Sequence, residues 1–366
     1  MPTFCGAAAP HTAAMPLLTP DDWAAHYRQF AAVDCPNQPT YVAICHAVAA
    51  DPELLALHAP IPPEQARANL FLAAVHERLL AGVAHPLAAY YPSLGGQRAP
   101  DAELPALLRD FVLSPERPRI EAHLRQRATQ TNEAGRSAML RLALDALGAE
   151  QPQLALFEVG ASAGLNLGVD EDRIDYGAFQ RGPGTRLQLR CDWLDGTPPP
   201  ASPWQLVQRA GMDLAPVDAH DPEARRWLEA CVWADDAERL QRLRQALAWA
   251  QARGPRIQAH ADGLQALDDW RAALPAGVQP VLLTSWVLGY LQPEARQRFH
   301  AEALRRVREQ GLAWICAEAP AHHPMPAPAA PPSPDGQAPM LLSLHTQAGS
   351  RALLWSHPHG NWARAA

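Results

Sequence analysis

Past Pro152 the chain changes character, and that change constrains its fold more than any other feature. Five short apolar runs, LALFEV (154–159), RLQLRC (186–191), PRIQAH (255–260), VQPVLLTSW (278–286) and LAWICAE (312–318), end in polar or small residues and alternate with helical segments. Strands spaced by helices predict βαβ units and a mostly parallel sheet, because parallel neighbours need a long crossover that a helix supplies. The stretch 319–339, APAHHPMPAPAAPPSPDGQAP, is too rich in Pro and Ala to pack as helix or strand and reads as a mobile loop. After it, MLLSLHTQAGSRALLWSHP reads as two strands around a turn at 348–349, an antiparallel hairpin that closes the sheet.

Before Pro152 the pattern differs. Apolar residues recur at helical spacing in ADPELLALHAP, ANLFLAAVHERLLAG and SAMLRLALDALG, with abundant Ala and Leu and few β-branched runs. Prolines fall between these segments or near their first turns, where the ring costs no intrahelical hydrogen bond. The expected organisation is an all-helical domain over 20–150, then an α/β domain over 151–366 with an insertion around 196–253 and the Pro-rich loop. The insertion would supply a long amphipathic helix or a pair of them, serving either as a cap over the site or as plain packing.

The first strand ends in FEVGASAGLNL, 157–167, and two chemistries compete for it. Gly160, Ser162 and Gly164 fit the G-x-S-x-G elbow of a serine hydrolase, with Ser162 as nucleophile and His357 or His359 as its base. That fold places its elbow after several strands, and here the first strand in the chain is the one carrying Glu158. A nucleotide-type cofactor site asks for less: an acidic residue at the strand end, glycines where the backbone turns or a ligand approaches, and a helix start facing the ligand. Glu158-x-Gly160-x-Ser162-x-Gly164 resembles the E/D-x-G-x-G-x-G turn of class I S-adenosylmethionine-dependent methyltransferases, with serine at the middle glycine. Asn166 follows in the same turn and joins the candidate cofactor contacts.

Further positions fit such a domain. Asp192, read as the end of the second strand, is a candidate for the ribose hydroxyls, although it lies 28 residues past Gly164 where about 20 is usual. Asp170, Asp172 and Asp175 compete with it. Asp262, just past the third strand, is placed to meet the adenine or to cap the following helix. Ser285 and Trp286 end the fourth strand, where cofactor and substrate would meet; Trp286 or Tyr290 would face a sulfonium with its π-system or lie buried. Glu318, ending the fifth strand, is the best candidate for a base or substrate anchor.

The chain resembles, over nearly its whole length, a bacterial family known as domain of unknown function 2332. HPLAAYYPS (85–93), TQTNEAGR (129–136), FEVGASAGLNL, PVDAHDPEARRWLEACVWADDAERLQRLRQAL, TSWVLGYL and HPHGNW (357–362) carry the likeness. The family's likeness to class I methyltransferases implies a Rossmann-like, mostly parallel sheet with a C-terminal antiparallel hairpin, preceded by the helical domain; it implies no substrate. In folds of that type the start of the helix leading into the first strand overhangs the cofactor. TQTNEAGR stands there, so Asn132 and Glu133 are read as contacts to cofactor or substrate, and Arg136 as the partner of a carboxylate, the ligand's or that of Glu158. The competing reading is a capping box with a buried ion pair.

Composition excludes several other functions. A net charge of −7 argues against nucleic acid or anionic membrane as partner, since phosphates call for basic surface. All basic side chains are Arg, which removes Schiff-base and P-loop lysine chemistry. Six scattered cysteines without a C-x-x-C pair suggest free thiols in a reducing cytoplasm. The first twenty residues lack an export pattern and no apolar run spans a bilayer, so a cytoplasmic protein is expected. The pairs His322, His323 and His357, His359 lack a carboxylate at ligand spacing and predict no metal; HPHG is expected to leave the sheet at the edge away from the cofactor. The expectation is a protein that binds S-adenosylmethionine and methylates a small molecule, with Glu318, Asn132, Glu133 and Trp286 on the substrate side. A serine hydrolase using Ser162, or a noncatalytic binder, is the alternative.

Overall fold

The computed structural model describes residues 18–62, 65–130 and 132–366. The N-terminal stretch read for an export signal, Cys5, Pro63 and Thr131 of TQTNEAGR lie outside them. The chain forms two compact units, a helical one that runs to Asn132 and resumes over His220–Arg244, and an α/β one made of Glu133–Ala219 and Gln245–Ala366.

In the helical unit, α1 (Pro20–Gln29), α2 (Pro39–Ala50), α3 (Pro52–Ala56), α4 (Ala68–Leu80), α5 (Leu104–Leu113) and α6 (Arg117–Gln126) follow one another. α7 (Ser137–Gly148) belongs to the other unit, and α8 (Pro222–Ala230) returns to this one with the first part of α9 (Ala237–Arg253). Pro opens α1, α2, α3 and α8, where its missing N–H would have had no helical partner. Thr19 and Asp22 form a reciprocal cap on α1, Asp22 N–H donating to Thr19 Oγ1 at 3.2 Å and Thr19 N–H to Asp22 Oδ2 at 2.9 Å. Trp23, Tyr27, Tyr41, Phe71, Phe111 and Trp227 fill the core. Inside it Glu77 meets His123 Nε2 at 2.9 Å and Arg226 Nε at 2.5 Å. Burial would raise its pKa, but those two partners hold it down to about 2.

The α/β unit contains β1 (Gln153–Val159), β2 (Arg173–Asp175), β3 (Gln180–Arg181), β4 (Gln188–Arg190), β5 (Asp192–Trp193) and β6 (Gln205–Asp213). Then come β7 (Arg256–Ala259), α10 (Gly263–Arg271), β8 (Gln279–Ser285), α11 (Pro293–Gln310), β9 (Ala313–Glu318), β10 (Met340–Thr346), β11 (Gly349–Ser356) and β12 (Trp362–Ala365). Nine strands form one sheet in the order β5-β12-β11-β10-β9-β8-β1-β6-β7. From β9 to β7 every pair is parallel. β1 lies at the middle of this parallel part and is buried from Leu154 to Val159, as a run without polar alternation should be. Phe157, Val159, Leu282, Trp314 and Cys316 line one face under α10 and α11, supplied by Leu264, Leu267, Phe299 and Val307.

The structure thus has the mostly parallel sheet, the C-terminal hairpin and the helical N-terminal segment that the sequence predicts, with three corrections. First, RLQLRC does not supply the second strand of the large sheet. Its residues form β4, which pairs with β2 in a separate three-stranded sheet of order β3-β2-β4. The neighbour of β1 is β6, from within the expected 196–253 insertion, paired in parallel from Gln153 with Gln205 to Val159 with Met212.

Second, Asp192 therefore ends no strand beside β1. It opens β5 at the far edge of the sheet, paired with Trp362 of β12. Third, β10 runs antiparallel to β9 and β11 antiparallel to β10, so β11 runs with the parallel strands. His357 and His359 follow its last residue and leave the sheet at the same edge as the carboxyl ends of β1, β8 and β9, opposite to the expectation. Among the described residues no helix is long and apolar enough to cross a membrane.

Candidate functional site

The order of addition reverses at β1. The chain goes from β1 to β6 and outward to β7, then returns to the other side of β1 with β8 and outward to β9. The strands are thus added first on one side of β1 and then on the other, which makes the carboxyl ends of β1 and β8 a topological switch point, the place where open α/β sheets form their ligand crevices. The residues at this edge come from the carboxyl ends of β1, β6, β8, β9 and β11 and from the turn before α7.

The turn after β1 carries two left-handed glycines, Gly160 at φ 77° and Gly164 at φ 72°, with Ser162 at φ 49° between them. Serine has no steric licence for that region, and Ser162 and Trp286 are the only residues other than glycine with positive φ among those described. The turn is fastened to β6: the N–H groups of Gly160 and Ala161 both donate to the Met212 carbonyl, at 2.9 and 3.0 Å. Ser162 N–H donates to Asp213 Oδ2 at 2.8 Å, and Ala215 N–H to Asp213 Oδ1 at 3.0 Å. A side chain at Gly160 would put its Cβ 2.5 Å from Val287 Cγ2, so glycine is required there both for backbone and for space.

Glu158 is 2% exposed and faces this turn from β1. Asn166 Nδ2 donates to its Oε1 at 2.6 Å, while its buried Oε2 has no hydrogen-bond partner among the described residues. Burial dominates and pushes its pKa up to about 8, against the opposing pull of Asn166 and Arg136 and with a smaller push from Asp213. Ser285, at the end of β8, presents a second buried oxygen without a partner among the described residues. A ligand donor could satisfy both, which is the usual resolution for an orphaned polar atom lining a crevice.

On the other side of β1 stand Trp286 and Glu318. Glu318 is 1% exposed, and its Oε1 accepts from the N–H groups of Val287 and Leu288 at 3.1 and 3.2 Å, fixing the turn that follows β8. Burial raises its pKa to about 7, moderated by those two bonds and by Arg136 and Arg296. Trp286, at φ 55°, donates from its backbone N–H to the Ala317 carbonyl at 3.1 Å and from Nε1 to Met340 Sδ at 2.7 Å. The buried guanidinium of Arg136 stands 5.7 Å over its ring and donates from Nε to the Pro358 carbonyl at 3.2 Å. HPHG is thus part of the edge that holds Arg136.

The structure brings Glu158, Gly160, Ser162, Gly164, Asn166, Ser285, Trp286 and Glu318 to one edge of the sheet. Glu133 caps the short turn Ala134–Arg136, its Oε1 accepting from Gly135 N–H at 2.8 Å. Asn132 is the last residue of the helical unit's first segment. Asp262 is the N-cap of α10, accepting from Leu264 and Gln265 N–H at 3.0 and 3.1 Å. Asp172 is paired with Arg186 at 2.5 Å in the interior and Asp170 with Arg209 at 2.8 Å. Asp175 accepts from Gly177 N–H at 2.9 Å. Asp192 is exposed at the far edge beside Arg190, 3.2 Å away. Tyr290 is 69% exposed. His323 is buried and bonded to Ser343 Oγ at 2.9 Å, and His357 meets Asp335 at 3.3 Å. Among the described residues no group of three His, Cys, Asp or Glu could hold a metal ion.

Asp213 is the residue that sequence reasoning missed. Its signal is the tripeptide Gly211-Met212-Asp213, which ends β6 on a glycine and a carboxylate. Gly211 lets the turn come close, since a Cβ there would sit 2.8 Å from Ala161 Cβ and from the Glu158 carbonyl oxygen.

No curated protein and no solved structure matches the chain. A family model described as an uncharacterized protein conserved in bacteria, DUF2332, matches residues 24–364. That match spans all but the ends of the sequence, and the chain therefore belongs to the bacterial DUF2332 family.

Proposed function

We propose that this protein binds S-adenosylmethionine at the crevice between the ends of β1 and β8, in a Rossmann-like domain, and methylates a small molecule. The observation that carries the reading is the reversal of strand order at β1 with a left-handed glycine turn at its mouth. In open α/β sheets ligands settle at such a switch point. The residues present fit the ligand: Gly160 and Gly164 keep the turn free of side chains, and Glu158 Oε2 and Ser285 Oγ are buried acceptors lacking donors among the described residues. Asp213 would meet the ribose hydroxyls in the role expected of Asp192, and Glu158 the ligand's ammonium. The bound group would supply a methyl carbon on sulfonium sulfur, open to an acceptor's lone pair. The protein's own contribution is proximity and alignment, with a base where the acceptor is protonated.

The test is a calorimetric titration of the full chain with S-adenosylmethionine and S-adenosylhomocysteine, paired with thermal melts, since a ligand that binds only native protein raises its apparent stability. Saturable binding that Asp213→Ala weakens at least about tenfold, or about 1.4 kcal/mol, is the expected result. Absence of heat and of any melting shift at millimolar ligand would remove the reading.

One observation favours a serine hydrolase instead: Ser162 sits on a strained left-handed backbone, as elbow nucleophiles do. Against it, no strand precedes β1 among the described residues to supply the donor loop such enzymes use. Labelling of Ser162 by a fluorophosphonate would decide for it. Ligand binding without turnover would leave a noncatalytic binder.

A further inference from the structure

We infer that the methyl acceptor is a planar aromatic molecule with an acidic O–H, stacked on Trp286 and giving its proton to Glu318 Oε2; this rests on the methyl-transfer reading above. In the strand order β8-β9-β10, Trp286 follows the last residue of β8 and Met340 opens β10. The indole reaches from one to the other, its Nε1–H on Met340 Sδ at 2.7 Å, and so lies across the carboxyl end of β9, where Glu318 is the last residue. Nε1 is the only polar atom of the ring. With it engaged, the indole offers its faces alone. Arg136 stands over one of them at 5.7 Å, yet the residue is still 40% exposed.

Tryptophan in the left-handed region, at φ 55°, is a strained residue. That strain keeps a large π surface at the mouth of the site, where collapse into the core would otherwise bury it. A flat aromatic ring is the partner such a surface selects, and offset stacking is its favoured geometry. The positive charge of Arg136 beside the indole disfavours a cationic acceptor and favours one that becomes an anion.

Glu318 completes the pair. Its Oε1 is held by two N–H groups, so Oε2 is the oxygen that does not fix the turn. A carboxylate so fixed has one oxygen for its own positioning and one for a ligand. In the proposed step the acceptor's O–H bond breaks, its electron pair stays on the acceptor oxygen, and the proton joins Oε2. The resulting phenolate-type oxygen lies beside Arg136 and carries the lone pair that methyl transfer needs.

The test uses 4-nitrophenol, whose phenolate absorbs in the visible, added to the full-length protein without methyl donor. Expected is saturable binding with a shift towards the phenolate spectrum. Trp286→Leu should weaken binding at least about tenfold, while Trp286→Phe, which keeps a π face, stays within a few-fold. Glu318→Gln retains both backbone acceptor contacts and should keep the binding but lose the phenolate shift. Cyclohexanol, of similar size but not planar, should not compete. Equal binding by Trp286→Leu, full competition by cyclohexanol, or a phenolate shift in Glu318→Gln would each overturn the inference. Because no methyl donor is present, failure here is separate from failure of the S-adenosylmethionine titration.

Discussion

Ser162 and Asp213 face each other across two neighbouring strands, the serine N–H donating to carboxylate Oδ2 at 2.8 Å. The bond sets the height of the glycine turn over β6, because Gly160 and Ala161 are fixed to the Met212 carbonyl just before it. A charge-assisted bond of this kind contributes roughly 1.5–3 kcal/mol. Asp213→Ala should therefore lower unfolding free energy by about 1–2 kcal/mol in urea titrations. Asp213→Asn, which can still accept from one of the two N–H groups, should lose less than half of that.

Gly160→Ala is expected to be worse than a simple loss of flexibility. The backbone is at φ 77°, and the new methyl would meet Val287 Cγ2 at 2.5 Å in the residue after Trp286. Strain of about 1–3 kcal/mol would move either the glycine turn or the turn that Glu318 holds. The measurement is a paired one, melting temperature and S-adenosylhomocysteine affinity. Both should fall, whereas Gly177→Ala, at φ 81° with nothing within 4 Å of the added Cβ, should lower stability alone.

How much of this could be read from the chain differs by element. β1, β8 and β9 are fully or mostly buried, so their residues form unbroken apolar runs that stand out from the helices around them. β6 hides because only Ala210, Gly211 and Met212 are buried; Gln205 to Arg209 lie beyond the reach of β7, and there Leu206 and Val207 stand between Gln205 and the polar pair Gln208 and Arg209, so no unbroken apolar run forms. RLQLRC reads as a strand and is one, but with alternating exposure and in the small sheet. Period alone cannot say which sheet a strand joins, and Asp213 was lost with β6. The edge reached by HPHG depended on one further inversion of direction between β10 and β11, which no local signal records. The glycine turn was legible because left-handed backbone selects a residue type.

The ion pair of Asp172 with Arg186 offers a test of what holds that turn from below. Both side chains are fully buried, and Arg186 also donates to the Leu165 carbonyl at 2.5 Å and stacks on Trp249 at 4.9 Å. Asp172→Ala leaves a buried guanidinium without its countercharge and should destabilise by about 3–5 kcal/mol. Replacing both residues with apolar ones, Asp172→Leu with Arg186→Met, should recover a large part of that. A double variant as unstable as the single one would show that Arg186 acts chiefly through Leu165 and Trp249.

Stability should fall as pH rises through the neutral range, because of Glu158. Its folded pKa of about 8 lies above the ordinary carboxylate value of 4.5. Between those values the native state holds a proton that the unfolded chain has released. Each pH unit in that window then removes up to about 1.4 kcal/mol, and the loss is complete above the folded pKa. Glu318, at about 7, adds to the same slope over a narrower window. Denaturant titrations from pH 5 to pH 9 should show the decline, and Glu158→Gln, permanently neutral with its bond from Asn166 kept, should flatten it. An equally steep decline in that variant would place the titration elsewhere.

The same carboxyl gives the ligand reading a signature independent of turnover. At pH 7 Glu158 is mostly protonated in the free protein, since burial outweighs Asn166 and Arg136. A ligand ammonium placed against Oε2 would favour the charged form, pull the pKa below 7 and release the proton to solvent. Titrating S-adenosylhomocysteine in buffers of different ionisation enthalpy should then give an observed heat that varies with the buffer, with a slope approaching one proton released. The slope should vanish above pH 9, where the proton is already gone, and in Glu158→Gln at any pH. A slope that survives in Glu158→Gln would assign the proton to another group, and a heat independent of buffer at pH 7 would mean that no cation reaches Glu158.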